Sequence, residues 1–253
     1  MTTVTHTTPN RLRTLNLAMA ALHAAQAVTV LALANDFALP VTATFLEGPP
    51  GVAAPTLSTW FHLNLGYGVA AFLLISAAAH LLIASPGIHP WYLRNLDAGR
   101  NYARWIEYSV SASLMIVLIA MLSGIGDVAA IIALFGVNAS MILFGLLMEH
   151  YERPGEANWL TFWLGSLAGL VPWIAIGIYF ISPGSEASPP GFVLAIYISL
   201  FMFFNSFALN MALQYARIGP WRSYLFGERA YIVLSLTAKS ALAWQVFAGA
   251  LAA

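Results

Sequence analysis

Lys239 is the only lysine in this chain of 253 residues, and it stands inside an apolar run, YIVLSLTAKSALAW at 231–244. A lone ammonium near a bilayer midplane costs about 2.5–3.5 kcal/mol on insertion scales, so such a lysine needs either a chemical role or a partner. It is also the one side-chain amine able to form an imine with a carbonyl compound. Ser235 precedes it by one helical turn on the same face, and Ala243 follows by one turn.

The partner is sought among the carboxylates. In RWIEYSVS at 104–111, the residues Arg104, Glu107, Ser111 and then Leu114 or Met115 share one stripe of a helix, with Tyr108 beside it. Asp127, Glu149 and Glu228 fall near expected helix ends, where a carboxylate is cheap. Glu107 is thus the carboxylate deep enough to neutralise Lys239, and a buried charge survives only when paired and hydrogen-bonded. A purely structural ion pair that fixes helix packing would explain the same two residues. The insertion cost and the absence of any other lysine weigh against that.

His23 and His80 fall in the same membrane half as Glu107, and histidine titrates near neutral pH, so they are candidate proton partners in a polar pocket. Gln26, Asn101 and Tyr108 are further candidates for it. His62 is expected near the opposite surface, and Asn138 is a mid-membrane polar group with no assigned role. Aromatics crowd the later segments, including Phe162, Trp163, Trp173, Phe204 and Phe207. Most should pack helices or mark the interfacial belt, while some would wall a slot for a flat apolar ligand. Met141 and Gly145, four apart, would offer that ligand one flexible side chain and one gap.

These residues need a scaffold, and the composition supplies it. The chain is 60% hydrophobic and 8% charged, with ten basic against ten acidic residues. That is far from the ~25% charge of soluble domains and belongs to a polytopic membrane protein in a lipid bilayer. No basic surplus exists to bind nucleic acid. There is no cysteine, the six histidines show no HxxxH or HExxH spacing, and a metal site is not expected. No nucleophile-base-orienter arrangement or phosphate loop suggests an enzyme.

Apolar stretches long enough to cross a bilayer recur at 13–35, 58–84, 99–123, 127–149, 158–181, 191–216 and 227–251. The fold expected is all-α, a single seven-helix membrane bundle over 1–253. Breaks are marked by Pro40 and the GPPG at 48–51, then by Ser85-Pro-Gly87, 124–126, Arg153-Pro-Gly155, Pro183-Gly184 and Gly219-Pro220. The first connection is the long one, and its TATF at 42–45 is expected to pair in a short hairpin. The polar N-terminal stretch runs straight into the first span and is read as a tail, not a removed signal peptide. All nine arginines lie on one side of these spans, which the positive-inside rule assigns to the cytoplasm. The N-terminus is then inside and the C-terminus outside.

A lysine central in the seventh span and a carboxylate in the third resemble the microbial rhodopsins. More specifically, LALANDFALP at 31–40, FGVNASMILFG at 135–145, FFNSFAL at 203–209 and GERAYIVLSL at 227–236 resemble heliorhodopsin across nearly the whole chain. The resemblance implies retinal, all-trans in the dark, as a protonated Schiff base on Lys239, with Glu107 as counterion. It further implies His23 and His80 in a cytoplasmic-side cavity, Phe204 against the polyene, and Trp173, Met141 and Gly145 in the pocket wall. It fits the inverted orientation and suggests a homodimer. Ser235 stands where proton pumps carry a second carboxylate, and 109–123 contains no carboxylate. The function expected is therefore a slow light sensor without pumping, its signalling partner unknown. A light-gated or light-driven ion transporter, and a colourless protein with a structural Lys–Glu pair, are the alternatives.

Overall fold

The computed structural model describes residues 7–52, 54–181, 186 and 189–252. The Pro183-Gly184 break and the first six residues of the polar tail lie outside them. In hydrocarbon no water can satisfy a backbone group, so spanning segments must bond internally as helices. Among the described residues, seven helices are long and apolar enough to cross a membrane. They belong to α1 (Thr7–Leu33), α2 (Leu65–Ala84), α4 (Tyr102–Leu122), α5 (Val128–Tyr151), α6 (Leu160–Ile181), α7 (Gly191–Tyr215) and α8 (Tyr224–Val246), with α8 ending in a π-helical turn at Phe247–Leu251. A shorter helix, α3 (His89–Asp97), precedes α4.

One expectation needs correction. The second span begins at Leu65, not 58, because residues 56–64 form a strand. β1 (Ala38–Phe45) and β2 (Thr56–Asn64) make an antiparallel hairpin, longer than the one expected at 42–45. The reason is local: TLSTWFHLN is apolar enough to extend a hydropathy window but rich in β-branched and aromatic residues, and Asn64 then caps the helix by accepting from Tyr67 N at 3.0 Å. His62 consequently lies on β2, outside any span. The short helix α3 is an addition to the expected elements and buries Tyr92 and Leu96, one turn apart, against Leu12 and Ile83.

Each spanning helix packs on its chain neighbours, and α8 returns to α1 and α2 to close the bundle. The main core joins Val30 of α1, Phe72 of α2, Ile119 of α4, Ile176 of α6, Leu200 of α7 and Leu242 of α8. Asp127 caps α5 by accepting from Ala130 N, and the neighbouring Gly126 carbonyl accepts from Thr42 N at 2.8 Å, which docks the hairpin. At the opposite end Arg13 donates to the Ala84 carbonyl at 2.9 Å, and Arg104 ties α4 to α5 and α8. The arginines and the hairpin thus occupy opposite ends of the bundle.

Candidate functional site

α8 carries Lys239 and α4 carries Glu107 to one buried point. Lys239 Nζ donates to Glu107 Oε1 at 2.9 Å and to Ser235 Oγ at 3.0 Å, and it lies 4.9 Å from the centroid of the Tyr108 ring. The Lys239 side chain is 3% exposed and that of Glu107 8%, so both ion and partner are largely out of water. Ser76 of α2 reaches the same Glu107 oxygen at 2.6 Å, and it also lies 3.1 Å from the Phe72 carbonyl. A hydroxyl has one proton, and the shorter bond to a carboxylate is the stronger use of it. Ser111 is fully buried one turn beyond Glu107.

Lys239 opens on a cavity between α4, α5, α6, α7 and α8. Met115, Met141, Phe204, Phe207, Tyr108 and Ser235 are in its wall. Apart from the amine and a few hydroxyls, that wall is hydrocarbon and aromatic. It fits the retinal implied by the sequence resemblance: a nucleophilic nitrogen at one place, and elsewhere flat and flexible apolar surfaces for a polyene. Lys239 is the residue that would hold it.

Two expected wall residues behave differently. Trp173 does not line the cavity; it packs behind Phe204, ring centroids 5.4 Å apart, and inside the main core. Gly145 does line it, yet the gap left by its missing side chain is taken by Trp105, whose ring would lie 2.5 Å from an added Cβ.

On the arginine side of the ion pair lies a polar cavity, walled by Asn16, His80, Asn101, Arg104, Glu107 and Glu228 among others. Tyr108 borders both cavities and donates to the Tyr231 carbonyl at 3.0 Å. Asn16 donates its amide to the Leu12 carbonyl, so the oxygen facing His80 Nδ1 at 2.7 Å is an acceptor. His80 therefore carries its proton on Nδ1 and a lone pair on Nε2. His23 is fully buried and stacked on His80 at 5.8 Å. Neither ring nitrogen of His23 has a hydrogen-bond partner among the described residues. Tyr92 of α3 also walls this cavity, and burial raises its phenol above the ordinary value, keeping it neutral.

Asn101 lines the polar cavity, and it also caps α4 by accepting from Arg104 N. Gln26 lines neither cavity; it accepts from Trp244 Nε1 at 3.1 Å on the outside of the bundle. Asn138 donates to Ser113 at 3.0 Å, a buried link between α5 and α4.

Glu149 and Glu228 are not cheap surface carboxylates. Both are buried and both pair with Arg104. Sequence position near a helix end suggested solvent, and only the tertiary placement of Arg104 shows otherwise. Ser76 and Asn16 were likewise missed, because a serine or asparagine bonding back to its own helix is unremarkable in sequence.

A search of curated proteins gave no match. The family model described as Heliorhodopsin matches residues 12–251. With that match spanning the ion pair, the cavity beside it and all seven membrane-crossing helices, the chain belongs to the heliorhodopsin family and is a rhodopsin-like, multi-pass retinal protein of the membrane.

Proposed function

We propose that this protein is a light sensor in which retinal, all-trans in the dark, is linked to Lys239, Glu107 is the counterion, and no ion is pumped. The observation that carries the reading is Lys239 Nζ bonded to Glu107 Oε1 where an apolar chamber meets a polar cavity. Retinal supplies light absorption and a change of shape about a double bond.

The residues do the rest. In the dark Glu107 stabilises a positive charge on the Lys239 nitrogen, and Ser76 and Ser235 hold carboxylate and nitrogen in place. When the nitrogen turns away from Glu107, that stabilisation falls and its proton can leave. The available acceptors lie on the arginine side, where His80 offers the Nε2 lone pair and His23 stacks on it. On the far side of Lys239, α8 presents Leu242, Ala243 and Val246, all buried in apolar core. A proton that leaves and returns by the same side performs no transport, and slow return leaves time for signalling to a partner not yet identified.

The arginine cluster at the end of the bundle away from the hairpin supports placing that end, and the N-terminus, in the cytoplasm. A homodimer is part of the proposal: α5 and α6 bury little of themselves inside one chain, and their outward residues include Ile132, Leu164 and Leu167.

Flash spectroscopy and a pH electrode on retinal-loaded cells test the function together. A long-lived blue-shifted species with no sustained light-induced pH change is expected; a sustained pH change or photocurrent would replace sensing by ion transport.

A further inference from the structure

We infer that Glu228, at the arginine-side wall of the polar cavity, is where the proton released from Lys239 comes to rest. This rests on the light-sensing reading above.

Arg104 is held between Glu149 and Glu228, and all three are buried. One guanidinium against two carboxylates leaves a net charge of −1 away from water, which a single proton would cancel. The two carboxylates are not equivalent receivers. Glu149 Oε1 accepts from Arg104 and from Tyr224 OH at 3.2 Å, while its Oε2 accepts from Asn101 N at 2.8 Å and Trp105 Nε1 at 2.6 Å. Both oxygens are occupied by donors, so a proton there would displace one of them.

Glu228 pairs in charge with Arg104 through Oε1 and accepts from Asn101 Nδ2 at 2.7 Å on Oε2, which leaves lone pairs free. It also faces the cavity that Glu107 and His80 line, whereas Glu149 does not. The cavity thus joins the origin of the proton to the carboxylate with room for it.

The balance is simple. The proton leaves the Lys239 nitrogen, which keeps the electron pair, and passes through the cavity by way of Glu107 and His80 Nε2. It ends bound to a Glu228 oxygen as a neutral acid. The Lys239–Glu107 site goes from neutral to −1 and the Arg104 cluster from −1 to neutral, so the charge of the protein is unchanged. Reversal in the dark restores both.

The test is light-minus-dark infrared spectroscopy of the full-length retinal-loaded protein, recorded alongside its visible spectrum in H2O and D2O. A positive carboxylic-acid C=O band should rise with the blue-shifted species, move in D2O, vanish in Glu228→Gln and change frequency in Glu228→Asp. A blue-shifted species that forms without such a band, or with a band unaffected in either variant, would overturn the inference while leaving the sensing reading intact. Failure of the blue-shifted species to form at all would remove the sensing reading and this inference with it.

Discussion

Glu107 is bonded from two other helices, by Lys239 through its ammonium and by Ser76 through its hydroxyl. Replacing its charge should therefore act on the chromophore directly. In Glu107→Gln, the positive charge on the Lys239 nitrogen loses its anchor and spreads along the polyene, so the dark band should move to longer wavelength. The pH at which the band converts to its blue-shifted form should fall by at least about one unit. An unchanged spectrum and titration would take Glu107 out of the counterion role. Ser76→Ala removes one donor and no charge; the same measurements should move less. Gly145→Leu tests packing instead. Its side chain would enter the Trp105 ring, which is held by Glu149, and overpacking of this kind costs about 1–3 kcal/mol. Faster thermal bleaching of the visible band is the expected readout.

At the scale of elements, the spans were legible because hydrocarbon demands long apolar helices and loops announce themselves with Gly and Pro. Hydropathy alone could not separate β2 from α2, since Leu57, Trp60, Phe61 and Leu63 are as apolar as a helix. Asn64, a strong N-cap, was the available signal for the boundary. Likewise Tyr92 and Leu96 gave α3 its buried stripe, but nine residues in an arginine-containing connection do not stand out beside 20-residue spans. The hairpin is fixed to the bundle through Gly126, where an added Cβ would sit 2.8 Å from the Pro40 carbonyl oxygen. Because that obstacle is backbone, Gly126→Ala should loosen the hairpin. Faster hydrogen exchange at the Thr42 amide, with the visible band unchanged, would show it; unchanged exchange would mean the loop adjusts.

For the whole molecule, the ion pair at its centre could be read from one lysine and one glutamate, whereas the Arg104 cluster could not, because Glu149 and Glu228 become buried only when α4, α5 and α8 meet. The two ends differ in chemistry: buried ion pairs and histidines on the arginine side, apolar core and a hairpin on the other. A tag on the N-terminus should accordingly be reached by antibody only after cells are permeabilised. The central claim is that Lys239 carries retinal, and the visible spectrum tests it most directly. Protein purified from cells supplied with all-trans retinal should show a visible band that hydroxylamine bleaches and that Lys239→Ala lacks. A folded wild-type protein that remains colourless, or a Lys239→Ala variant that keeps the band, would contradict it.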